Sequence, residues 1–238
     1  MQAVYYFVLV PMVYVALAVF ICGTIWQGGR ILIGLRRSLS SAVGPERPPK
    51  LRGAVYETFL FPIVLRNHPL QWVLLMAFHA TLLLLILGHI ELVGDVAILQ
   101  VIEHRVFLGG GAVGLILLVV LLFFLFRRFH SPLREISVPG DYYLLILFFL
   151  VVLFGSELHL ARRLFDYSTI GVDEYREYLS SLFMFRPALP EVFTEDYVGH
   201  SFLLVLHVFF ANLFLMLFPT SRMMHALLAF PLARLKRR

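Results

Sequence analysis

Four of the nine histidines lie within or at the edges of long apolar runs. His79 and His89 share the segment MAFHATLLLLILGHI, and His207 and His225 share LLVLHVFFANLFLMLFPTSRMMH. An ionisable ring at membrane depth is costly, so such residues usually have a partner or a function. The spacings are ten and eighteen residues. At 1.5 Å per residue these correspond to about 15 Å and about 27 Å of helix rise. Pro219 lies between the second two and would shorten their separation by breaking the helix. A neutral imidazole is a ready metal ligand, so the first question is which rings the fold brings face to face.

The elements that must position them follow from composition. Hydrophobic residues make up 60% of the 238 and charged residues 15%, against about a quarter charged in soluble domains. That excludes a soluble domain and a disordered chain alike. The expected fold class is an all-α integral membrane protein, one domain, with five spans at about 4–26, 69–90, 106–126, 142–160 and 200–218. The first run lacks the basic start and small-residue cleavage site of a signal peptide and reads as a retained helix. Residues 27–68 form a polar connection, with the irregular stretch SSAVGPERPPK and then GAVYETFLFPIVL, a membrane-skimming segment.

Of the twenty Lys and Arg residues, fifteen fall in the first and third connections and the tail. The positive-inside rule places those in the cytoplasm, and the N-terminus and the 161–199 connection outside. Basic residues concentrated at span ends also argue against a nucleic-acid partner for the net charge of +5. In this topology the second span runs outward and the fifth inward. His89 and His207 then share the outer side, and His79 and His225 the inner side.

Two separated pairs of imidazoles on facing helices suit two six-coordinate haem irons, one axial nitrogen from each helix. A structural zinc would ask for four ligands at one point. Cys22 is the only cysteine, which removes iron–sulfur ligation and covalent haem attachment, leaving haem b. Ten residues on one helix are off by about 80° in azimuth, so spacing alone does not force the pairing. The plainer alternatives are histidines that satisfy local hydrogen bonds in a structural anchor, or bind metal transiently in a transporter or assembly factor.

The sequence resembles the haem b membrane subunits of the respiratory nitrate reductase gamma family, including the related subunit of sulfite-reduction-associated Dsr complexes. The resemblance rests on FHATLLLLILGHI and LHVFFANLFLMLFPTSRMMH, with GGGAVG and FRRFHSP as weaker signals. Within the family, SLFMFRPALP and ANLFLMLFPTSRMMH lean toward the Dsr type. It implies an outer haem b between His89 and His207 and an inner one between His79 and His225. It also implies electron exchange with a membrane quinone, menaquinol being the expected donor, and with a cytoplasmic iron–sulfur subunit of a larger complex in the cell membrane.

Quinone chemistry needs a proton-exchanging group at the membrane edge. Glu103, His104 and Arg105 stand at the start of the third span, and Arg105 is the nearest match to a basic residue by which relatives bind quinol; simple helix capping is the alternative. Glu91 and Asp95 read as loop solvation, with outward proton relay the alternative. Gly110 and Gly114 at i,i+4 permit close helix contact, with room for a porphyrin edge as the alternative. Arg127, Arg128 and Arg222 could pair with haem propionates, Arg222 best because it lies three residues from His225. His68, His130, His159 and His200 read as interfacial residues.

Overall fold

A computed structural model describes residues 1–40, 51–93, 111–165, 170–193, 199–225 and 228–229. Every regular element among them is helical: α1 (Gln2–Leu9), α2 (Pro11–Ser40), α3 (Leu51–Leu60), α4 (Pro62–Asn67), α5 (Pro69–Val93), α6 (Ala112–Arg128), α7 (Leu133–Ile136), α8 (Pro139–Phe165), α9 (Val172–Phe183) and α10 (Phe202–Leu217), with short 3₁₀ turns around α10. Four stretches are long and apolar enough to cross a bilayer: Gln2–Gly34, Pro69–Val93, Pro139–Leu158 and Gly199–Thr220. The third expected span corresponds to α6, apolar but only 17 residues long.

Proline punctuates the chain as its chemistry requires. Pro62, Pro69 and Pro139 each open a helix, where the missing N–H is no loss. Phe61, left-handed at φ 42, separates α3 from α4. Pro11 divides the first run into α1 and α2, and Val10 takes a non-helical conformation at the joint. The expected end of the first helix near Trp26 is too early, because α2 continues to Ser40 through Gln27, Gly28, Gly29 and Arg30. Gly28 and Gly29 have nothing against them, and polar residues at the exposed end of a helix do not stop it. The expected 161–199 connection also contains a helix, α9.

The chain forms two compact units. The first comprises residues 1–16 and 77–214. Its α6 and α8 lie so close that a Cβ on Gly114 would meet Ser156 Oγ at 2.3 Å. Gly114 therefore serves helix contact, and Ser156 fills the space that a porphyrin edge would have needed. Leu117, Val120 and Leu121 of α6 and Leu144, Leu145, Phe148 and Val152 of α8 are buried. Phe78 of α5 sets its edge against Phe124 and Phe148, and Phe148 stacks on Phe214 of α10. The turn from α6 to α8 is fixed by charge. Arg128 pairs with the buried Asp141 at 3.3 Å and donates to Ser137 Oγ, while Tyr142 donates to the Arg128 carbonyl.

Also in the first unit, the break at Pro11 leaves last-turn carbonyls of α1 in need of donors. The Val8 carbonyl accepts from Asn212 Nδ2 at 3.2 Å and the Leu9 carbonyl from the Tyr178 hydroxyl at 2.5 Å. Both side chains are buried. Burial, with the neighbouring Tyr14 phenol adding to it, pushes the Tyr178 hydroxyl well above its ordinary ionisation, so it is a neutral donor.

The second unit comprises residues 17–76 and 215–238. Phe20 packs edge-on against Phe218 with ring centres 5.3 Å apart. A Cβ on Gly23 would lie 2.8 Å from the Pro219 ring, so only glycine admits this approach. Trp72 Nε1 donates to the Leu60 carbonyl at 2.7 Å, tying α5 back to α3.

Candidate functional site: an imidazole pair on α5 and α10

His89 and His207 come together within the first unit. Their ring centres are 6.1 Å apart and their planes differ by 24°. A metal bonded to one nitrogen of each ring at about 2.0–2.1 Å separates the ring centres by roughly 6 Å. The separation is of the size that two rings holding one metal ion between them would need.

The hydrogen bonds specify the tautomers. His207 Nδ1 lies 2.9 Å from the Val151 carbonyl of α8, and His89 Nδ1 lies 2.6 Å from the Leu85 carbonyl one turn back. A carbonyl oxygen only accepts, so each Nδ1 carries a proton, and in the neutral ring Nε2 is then the nitrogen that could bind a metal. Histidine ligands of metals are typically held this way, the second nitrogen donating to a carbonyl or carboxylate. The bond from His89 is the local i−4 type that His130 also makes, to Phe126. The bond from His207 crosses between helices and is the more specific of the two.

Gly155 makes that crossing possible. A Cβ there would stand 3.0 Å from both Cε1 and Nδ1 of His207. Any larger residue would push the ring away from the Val151 carbonyl. Phe154 stacks on Phe210 beside it, rings 5.5 Å apart and nearly parallel. Two imidazoles with fixed tautomers, a glycine cradle and flanking phenylalanines make a donor set suited to haem, whose iron takes nitrogen ligands from both faces.

Residues 63–238 match the family described as nitrate reductase gamma subunit. The chain belongs to that family. Gamma-family proteins are membrane cytochrome b subunits of multi-subunit respiratory oxidoreductases and bind haem b. This member is accordingly a multi-pass membrane protein. No curated protein matches the chain.

The other expected residues of this family member fall as follows. His79 is half-buried in the first unit, with Phe78 edge-on at 5.1 Å. His225 belongs to the second unit, is exposed, and closes the 3₁₀ turn Arg222–Met224, its Nδ1 lying 2.8 Å from the Arg222 carbonyl. Arg222 is exposed in that turn. The α-helix ends at Leu217, before Pro219, and the path continues as the 3₁₀ turn Phe218–Thr220.

Glu103, His104, Arg105, Asp95 and Gly110 lie outside the described residues, as does the side chain of His159. Two expectations are corrected. Glu91 does not solvate a loop: it is buried, at 7% exposure, one turn from Gly88 on the inward side of α5. Arg128 is not available for a propionate, because Asp141 and Ser137 engage it.

Sequence reasoning did not single out Gly155, Asn212 or Tyr178. Pro11 was the available signal for the last two, since a proline inside an apolar run must leave carbonyls that some buried donor satisfies.

Proposed function

We propose that the chain is the di-haem b subunit of a quinone-linked respiratory complex in the cell membrane, of the Dsr type, with a nitrate reductase assembly the next reading. The observation that carries this is the His89–His207 pair, in which both Nδ1 atoms are committed to carbonyls and the ring separation suits a shared metal. The other axial pair is assigned to His79 and His225, from their places in the two histidine-bearing segments and the family pattern.

When bound, haem b supplies a one-electron carrier suited to exchange with a quinol and with iron–sulfur centres. The protein's own share is positioning and insulation. Val151 and Leu85 orient the outer imidazoles, and the phenylalanines of α5, α6, α8 and α10 exclude water. A quinol sheds protons with its electrons, so acceptors must stand at the membrane edge. Glu103, His104 and Arg105 take that place at the start of the third span, and Arg222 takes the propionate role at the inner side. The reading assigns five spans with the N-terminus outside, and a cytoplasmic iron–sulfur partner docked on the basic inner surface.

The test is reduction by a menaquinol analogue in vesicles containing the complex. The reading expects the b-type absorption to appear on adding quinol, more slowly in Arg105→Ala. A chain reduced by dithionite but inert to quinol would overturn the quinone link. A chain without haem would return the histidines to metal transport or a structural role. Copurification of neighbouring subunits distinguishes the Dsr type from a nitrate reductase.

A further inference from the structure

Helix α9 lies in the connection between the last two apolar stretches, yet its contacts reach far along the first. The Tyr178 hydroxyl donates to the Leu9 carbonyl, and Tyr14 donates to the Leu182 carbonyl at 2.9 Å. The Tyr14 ring also stacks on Phe185 at 5.5 Å, with the planes 9° apart. Leu9 and Tyr14 belong to the candidate span Gln2–Gly34. From Gln2 they lie about 10 Å and about 18 Å along the helix. The adjacent Val8 carbonyl is bonded by Asn212, which lies past the midpoint of the candidate span Gly199–Thr220, so this part of the first span is not at the end of its neighbour. Helix α9 therefore descends beside the first span, its C-terminal end the deeper.

The polarity of α9 follows that descent. Asp173, Glu174 and Glu177 are exposed near its start. At the deep end Phe183, Met184 and Phe185 are 61%, 70% and 79% exposed. Burying such side chains away from water is favourable, so three in a row left in water would be unusual.

The turn that follows meets the strictest requirement of a bilayer, that backbone donors find partners within the chain. Met184 N–H donates to the Ser180 carbonyl, Phe185 N–H to Leu182 and Arg186 N–H to Ser181. Pro187 has no N–H, and Ala188 N–H donates to Ser181 Oγ at 3.0 Å. An open cavity of about 620 Å³, with Asp173, Arg176, Glu177, Ser181 and Arg186 along it and Met184 at its edge, runs along the same helix. It gives the Arg186 guanidinium a polar path, so its charge need not face lipid.

We propose that α9 is a re-entrant helix whose Phe183–Met184–Phe185 tip inserts into the bilayer hydrocarbon from its own side, with lipid acyl chains as its partner. Cys22 is the only native cysteine, so a Cys22→Ser background permits single-cysteine mapping of the full chain in lipid vesicles. With a charged maleimide present on both faces, Glu174→Cys should label readily. Phe183→Cys, which stands outside the cavity, should label at least about tenfold more slowly, yet fully after detergent denaturation. A nitroxide on Phe183→Cys should collide more with oxygen than with a water-soluble nickel chelate. Equal labelling of the two positions, or a nitroxide that favours the nickel chelate, overturns the proposal. Protection of Phe183→Cys only when other subunits are present would assign the tip to a protein partner and also overturn it.

Discussion

Helix α10 uses one device twice, five residues apart. His207 and Asn212 both send a side-chain N–H to a backbone carbonyl of a neighbouring helix, Val151 in one case and Val8 in the other. The amide at Asn212 repairs the break at Pro11 and is buried at 2% exposure. The imidazole at His207 has a second nitrogen, and with Nδ1 donating to Val151 the neutral ring keeps Nε2 as its ligand atom. The same cross-helix bond is thus structural in one residue and preparatory in the other. What separates them is the chemistry of the side chain and the presence of His89 opposite.

That comparison can be broken at either end. The largest effect is expected from His207→Ala, which should remove about half of the haem b and leave the rest spectrally normal. Retention of both haems, or loss of both, would contradict the pairing. Gly155→Ala comes next. Its Cβ would crowd the His207 ring, so the outer haem should shift in potential or be partly lost while the other is unchanged. A titration resolving the two haems checks this.

Asn212→Ala should instead leave haem content intact and cost about 1–3 kcal/mol, the penalty for stripping a buried carbonyl of its donor. A thermal melt followed by haem release reads the difference. Tyr178→Phe should cost about 1 kcal/mol for the bond to Leu9. Because its ionisation is raised in the folded chain, the contribution of Tyr178 should be constant below its ordinary value of 10.0 and decline as pH rises above it. A wild-type-minus-variant difference that already falls near pH 8 would contradict a buried neutral donor.

Much of this was legible in the sequence because apolar length and histidine placement are coarse signals. Four apolar stretches long enough to cross a bilayer stand among the described residues near four of the expected spans, and His89 lies beside His207. What was not legible depended on neighbours. The continuation of α2 through Gly28–Gly29 to Ser40 contradicts a composition change that looked like a helix end. Glu91 reads as a loop acid until α5 carries it inward. Gly155 is one small residue in an apolar run, and only the approach of His207 gives it meaning. Helix α9 is polar enough to pass for a surface loop, and its descent rests on Tyr178 and Tyr14 finding carbonyls that Pro11 and the end of α9 expose.

The central claim is that the histidines of α5 and of the α10 segment hold two b-type haems. It is tested most directly by the reduced-minus-oxidised absorption spectrum of the purified chain, with haem quantified per polypeptide. The account predicts a b-type spectrum at two haems per chain. A colourless protein, or one haem insensitive to His207→Ala, would contradict it.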